Sequence, residues 1–218
     1  MRVVIAGGHG KIALLLERAL TEDGDEAVGL VRNPDHVPDV EATGAEAVVL
    51  DLETTEAEAL ADVLRGSDAV VFAAGAGPGS GTARKETVDK GAAVLLADAA
   101  ERAGVRRYVM VSAIGTDRAD PTSGDVYQVY LRAKAAADRD LRGRESLEWT
   151  IVRPGRLSDD EGTGKVDLGP DRSPASVPRS DVAAVLAELI TTGRGVHQQV
   201  DLVAGRVPVA EAVASLGD

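Results

Sequence analysis

Val3-Val4-Ile5-Ala6-Gly7-Gly8-His9-Gly10-Lys11-Ile12-Ala13 is a short apolar run that ends in glycines and opens a stretch rich in Ala and Leu. A strand that stops at a glycine turn and leads directly into a helix is the start of a βαβ unit. The glycines read as Gly7-x-x-Gly10-x-x-Ala13 or as Gly8-x-Gly10-x-x-Ala13. In either frame they permit a tight turn and let a pyrophosphate approach the backbone, where the helix N-terminus offers N–H donors and a positive dipole. Ala13 has to be small so that helix and strand pack closely. Gly7, Gly8, His9, Gly10, Lys11 and Ile12 are therefore candidate dinucleotide ligands. An ordinary glycine-rich turn is the other reading, and the flanking strand and helix weigh against it. A P-loop is excluded, because Ile12 stands where that motif needs Ser or Thr and Ile5 where it needs its first glycine.

Outward from this turn, Val- and Ile-rich runs alternate with amphipathic stretches. The pattern predicts strands at 2–6, 27–31, 47–50, 69–73, 107–111 and 150–152, with a later one near 198–203. Helices are predicted at 10–21, 55–64, 82–103, 127–141 and 180–191. The expected fold is α/β: a Rossmann-like, doubly wound parallel sheet forming one domain over 1–218, with 156–218 a small C-terminal substrate-side segment within it. Residues 158–179, rich in Gly, Pro, Asp and Ser, read as a loop excursion above the sheet. No internal repeat is visible.

Composition narrows the function. With no cysteine, thiolate catalysis, disulfides and Cys-based metal sites are excluded, and no metal site is expected. Asp and Glu number 36 against 24 Lys and Arg, of which five are lysine, so the net charge of -12 argues against a nucleic-acid partner. No apolar run reaches the length of a membrane span, and the chain opens on a strand instead of a leader. The expectation is a cytoplasmic protein with no membrane partner.

Cofactor choice turns on the end of the second strand, where NAD sites place a carboxylate on the ribose. Leu30-Val31-Arg32-Asn33 places Arg32 there, and a guanidinium can pair with a 2′-phosphate, so NADP(H) is favoured over NAD(H). The alternative is a solvated surface arginine. Asp51-Leu52 ends the third strand, where a carboxylate can meet the adenine amino group and a leucine its ring. Ala73-Ala74-Gly75 ends the fourth, where small residues leave room for ribose.

Val111-Ser112 is followed by Tyr130-Leu131-Arg132-Ala133-Lys134. A Tyr and a Lys four apart share a helix face, so the ammonium can draw the phenol's pKa of about 10 towards neutrality. Tyr130 is then a candidate general acid or base and Ser112 a candidate ligand of the substrate oxygen. Lys134 is assigned both to catalysis and to the nicotinamide ribose. A surface Tyr–Lys pair is the plainer reading.

On these motifs the chain resembles the short-chain dehydrogenase/reductase superfamily, in particular its short atypical, epimerase-like members. Arg153-Pro154-Gly155 and Ser180-Asp181-Val182-Ala183 extend the resemblance over nearly the whole length. It implies that Pro154 and Gly155 border the nicotinamide. It also implies that Asp89, in Thr87-Val88-Asp89, occupies the place of the asparagine that organises a proton relay in the orthodox set. Asp181 reads as a helix cap. Only residues 156–218 follow the Arg-Pro-Gly turn, so a large substrate has little to hold it, and 2% aromatic residues leave few rings for a flavin or sugar. An NADP-dependent oxidoreductase or epimerase of a small carbonyl or hydroxyl compound is expected. The alternatives are a non-catalytic NADPH-sensing regulator and a flavin or quinone reductase. The long helices 82–103 and 127–141 could pair across a homodimer.

Overall fold

The computed structural model describes residues 1–77 and 79–217. Strand and helix alternate from the start: β1 (Arg2–Ala6), α1 (Lys11–Glu22), β2 (Glu26–Val31), a 3₁₀ turn (Pro34–His36), α2 (Val37–Glu41), β3 (Glu46–Val49), α3 (Ala57–Leu64) and β4 (Ala69–Phe72). A π-helical stretch (Lys85–Ala92) runs into α4 (Ala93–Ala103). Next come β5 (Arg107–Val111), a 3₁₀ turn (Thr116–Arg118), α5 (Val126–Arg142) and β6 (Glu148–Pro154). The chain then forms β7 (Arg156–Ser158), β8 (Lys165–Gly169), β9 (Ser176–Pro178), α6 (Arg179–Thr192), β10 (Gln198–Ala204), β11 (Val207–Pro208) and α7 (Val209–Ala214).

The main sheet runs β11-β8-β10-β6-β5-β4-β1-β2-β3, parallel from β10 to β3. This is the doubly wound arrangement. The order reverses between β1 and β4, which opens a crevice at the carboxyl ends of those strands. The alternating pleat of β1 sends Val3 and Ile5 to one face and Val4 and Ala6 to the other, all fully buried. Burial on both faces is why such strands read as unbroken apolar runs. Leu16 and Leu20 of α1 and Leu186 and Leu189 of α6 cover the first face. Leu60 of α3, Leu96 of α4 and Leu141 of α5 cover the second. Each such leucine contributes about 1.5–3 kcal/mol relative to exposure.

Three helix details position the site. The inward residues of α1, Ala13, Leu16, Glu17 and Leu20, recur at helical spacing, so a carboxyl is carried into the core. Asp125 caps α5, accepting hydrogen bonds from the N–H groups of Tyr127 and Gln128. Leu131, Lys134, Asp138 and Leu141 all lie buried on the inner side of α5.

The region 158–179 departs from the loop expected of it. β8 pairs antiparallel with β10, Leu168 opposite Leu202, and extends the sheet, while β7 and β9 form a small parallel pair. Val166 and Leu168 alternate inward, but a five-residue strand among Gly, Pro and Asp carries too short a period to read. The helix expected at 82–103 begins instead with the π-helical stretch, a widening that the spacing of apolar residues does not reveal. Asp181 does not cap α6. It sits inside the first turn and accepts hydrogen bonds from the N–H groups of Thr163 and Gly164. Among the described residues, no helix is long and apolar enough to cross a membrane.

Candidate functional site

The glycine turn is fixed by close approach of backbones. Gly7 has φ +87°, and a Cβ there would lie 2.6 Å from Ala74 Cα at the end of β4. A Cβ on Gly8 would lie 2.7 Å from Gly29 Cα in β2. Gly10 donates its N–H to the Gly7 carbonyl at 2.8 Å and accepts from Leu14 N–H at 2.9 Å, which starts α1. No side chain caps this helix. The N–H groups of Lys11, Ile12 and Ala13 belong to the first helical turn, which has no intrahelical acceptors, so with the helix dipole they form an anion cradle.

Beside this turn lies a cavity of about 370 Å³. Gly7, His9 and Gly10 line it from beyond β1, Arg32 from beyond β2, Asp51 and Leu52 from beyond β3, and Ala73, Ala74 and Gly75 from beyond β4. Three other turn residues lie elsewhere. Gly8 packs on β2, Lys11 pairs with Asp159 at 2.5 Å, and Ile12 packs against the core. A backbone-walled cavity beside unmatched helix N–H groups and an arginine fits a dinucleotide.

Residues that sequence reasoning missed shape the far end of this cavity. Glu53 receives Arg32 at 2.9 Å and Arg84 at 2.7 Å, and Thr87 donates its hydroxyl to it at 2.6 Å. The Arg84 and Thr87 bonds hold the Glu53 carboxyl below the usual carboxylate range. His9 stacks on His36 at 3.6 Å between ring centroids and bonds Asp39 at 2.7 Å. The only sequence signal for Glu53 is its place directly after Asp51-Leu52.

A second cavity, of about 600 Å³, lies at the other end of the crevice. Tyr130, Pro154 and Gly155 line it together, as do Ala113 and Ile114, but not Ser112. Ser112 is buried and donates its hydroxyl to Asp138 Oδ2 at 3.0 Å, and Thr116 donates to the same oxygen at 3.0 Å. Its proton is therefore directed away from the cavity. Lys134 donates to the carbonyls of Val111 at 3.1 Å and Ala74 at 3.3 Å, and stands 3.7 Å from Asp89 Oδ1. Asp89 is fully buried and accepts from Ala76 N–H at 3.3 Å. The π-helical stretch carries both Asp89 and the buried Lys85, whose ammonium lies 5.4 Å from the centre of the Tyr130 ring.

The electrostatics differ from the sequence expectation. Lys134 turns to carbonyls and a carboxylate and makes no bond to the phenol, so it does not draw the Tyr130 pKa down. Burial, and then the Asp89 charge, push that pKa up, which keeps the phenol protonated. Burial also raises the Asp138 carboxyl, against the lowering effect of Ser112 and Thr116. Burial lowers the Lys134 ammonium, and Asp89 and Asp138 oppose it. Asp138 was legible as the next turn of the Tyr130 and Lys134 helix face, four residues on, and Lys85 had no comparable signal.

The uncharacterized sugar epimerase YhfK of Bacillus subtilis is 32% identical to this chain, over 99% of the chain and 100% of that protein. A solved Bacillus halodurans structure of the NAD-dependent epimerase/dehydratase kind is 38% identical, covers 99% of this chain and 100% of its own, and superposes with a TM-score of 0.91. The oxidoreductase ylbE of Lactococcus lactis is 30% identical, covers 99% and 96% of the two chains, and gives 0.87. The model of the NAD(P)H-binding family matches residues 7–193, the span that contains both cavities. With its Rossmann sheet and glycine turn, this chain belongs to the NAD(P)H-binding family of oxidoreductase- and epimerase-like proteins.

Proposed function

We propose that the protein is an atypical short-chain dehydrogenase/reductase that binds NADP(H) in preference to NAD(H) and acts as an oxidoreductase or epimerase on a small carbonyl or hydroxyl compound. The observation that carries the reading is the Tyr130 phenol, kept neutral by burial and without a hydrogen-bond partner among the described residues, in one cavity with Pro154 and Gly155. When bound, the dihydronicotinamide supplies a hydride to a carbonyl carbon. Tyr130 gives its proton to the carbonyl oxygen, and the Lys85 ammonium, 5.4 Å from the centre of its ring, is a cation close to the resulting phenolate. Asp138 accepts the hydrogen bond of the Ser112 hydroxyl, so Tyr130 and not Ser112 is the proton donor on this cavity. What supports NADP(H) is that Arg32 lines the nucleotide cavity just past β2, where exchanging Glu53 for a 2′-phosphate would keep it paired.

Replacement of Tyr130 by Phe tests the proton donor. Turnover of NADPH with a small-carbonyl panel is expected to fall about 10²–10⁴-fold, with the Kd for NADPH unchanged. An unchanged rate would move the assignment to a flavin or quinone reductase, in which the tyrosine is dispensable. The engagement of Ser112 with Asp138 favours one further reading, an NADPH-sensing regulator, and absence of turnover on the whole panel would select it. Cofactor choice is tested by titrating NADPH against NADH. Tighter NADPH binding that Arg32→Ala abolishes is expected, and equal affinities unaffected by that change would overturn the preference.

A further inference from the structure

The cavity that holds Tyr130 has a charge unlike that of the whole molecule. The chain carries 36 acidic and 24 basic residues, yet among the described residues the charged ones on this cavity are Arg118 and Arg156, with no carboxylate. Neither guanidinium has a hydrogen-bond or ion-pair partner among the described residues. The remaining walls are largely apolar, with Ala113, Ile114, Leu131 and Pro174 among them.

The neighbouring space differs. A cavity of about 290 Å³ adjoins the first and shares Gly115, Arg118 and Pro174 with it. Arg153 lines this smaller space while only 5% exposed. Its Nε is spent on Asp201 at 2.7 Å, and its buried Nη1 has no hydrogen-bond partner. The carboxylate facing Nη1 is Asp117, at 3.4 Å and itself 58% exposed. Asp171 and Asp201 also line the smaller cavity, with Asp201 already committed to Arg153 and to the N–H of Arg172. Arg153 is therefore matched by Asp201 and Asp117, whereas Arg118 and Arg156 are the guanidiniums left to meet a carboxylate or phosphate through two parallel bonds.

We propose that the substrate carries an oxyanion, a carboxylate or a phosphate, held between Arg118 and Arg156 while its reacting carbon faces Tyr130, Pro154 and Gly155. The inference rests on the oxidoreductase reading for the reacting carbon, but the oxyanion site is testable without turnover.

Two measurements on the NADPH-loaded full chain decide the matter. In the first, turnover of a 2-oxo acid is compared with its methyl ester, and of a phosphorylated aldehyde with the unphosphorylated aldehyde. The anionic member of one pair is expected to have the higher kcat/KM by about tenfold to hundredfold, and the pair that shows it identifies carboxylate or phosphate. In the Arg118→Gln/Arg156→Gln variant the ratio of anionic to neutral kcat/KM should fall to about one. In the second, the shift in unfolding temperature is followed as oxalate or inorganic phosphate is added. A saturable rise in the wild type that the double variant lacks supports the site even if no carbonyl compound turns over, in which case only the oxidoreductase reading fails. Equal treatment of anionic and neutral compounds together with no saturable rise overturns the proposal, as does an anion preference that survives in the double variant.

Discussion

The nucleotide end of the crevice is walled by backbone, whereas the Tyr130 end is organised by buried charge. At the first, Gly7, Gly8 and Gly10 have neighbours so near that a methyl group would collide at the first two. At the second, Asp89, Lys134 and Asp138 are all buried; burial lowers the Lys134 ammonium and raises the Asp138 carboxyl, and neighbouring opposite charges act against both shifts. Shape complementarity suits a ligand part that does not change during a reaction. Balanced charges suit a place where a proton moves, because small changes in distance alter which group holds it.

The most direct way to break this contrast is Gly7→Val. The added side chain meets Ala74 and the backbone is left-handed, so stability should fall by about 2–5 kcal/mol, measured by urea denaturation, and NADPH binding should be lost. A polar-to-apolar change at the other end that cost more would reverse the assignment of roles.

Glu17 sharpens the comparison, since it places one buried acid beneath the glycine turn. Its Oε1 would lie 3.0 Å from a Cβ on Gly8, and burial pushes its carboxyl up to about 8. The folded state then binds a proton that the unfolded chain has released, so stability is greatest below the ordinary carboxylate range and declines as pH rises towards 8. Denaturation at pH 5 and pH 8 should differ on the order of 2–4 kcal/mol from this group, and Glu17→Gln should remove the difference. A Glu17→Gln protein with the same pH profile as the wild type would show that the carboxyl ionises freely.

At the charged end, Asp138→Ala leaves the Ser112 and Thr116 hydroxyls without their acceptor. A loss of about 1–3 kcal/mol is expected, with a smaller loss for Asp138→Asn, which retains an acceptor oxygen. Equal losses in the two variants would mean that the acceptor is not what holds the hydroxyls.

The smallest effect tests the seam between the regimes. Glu53→Gln releases Arg32 and Arg84 from an exposed ion pair, so NADPH should bind about two- to fivefold tighter and NADH unchanged. Equal tightening for both would show that Arg32 does not discriminate them.

Much of the fold was legible because its signals are local. The runs at 2–6 and 107–111 coincide with β1 and β5, and the strands near 27–31 and 198–203 differ from β2 and β10 by one residue. β8 and β9 were not legible, since each is short and owes its stability to a partner far along the chain. The anomaly of Glu17 within the apolar stripe of α1 was visible in the sequence, but the reason it is tolerated, the room left by Gly8 and Gly29, was not.

The sequence by itself determined the parallel sheet, the glycine turn and the face of α5 that carries Tyr130 and Lys134, because strand period, helix period and glycine geometry act over a few residues. Only the tertiary structure decided where charges go. It turned Lys134 towards Asp89, directed the Ser112 hydroxyl to Asp138, tied Arg32 to Glu53 and, among the described residues, left Arg118 and Arg156 unpaired on the cavity that Tyr130 lines. Electrostatic partners are chosen by distance in space and by the water that burial excludes, and neither is a property of neighbouring residues.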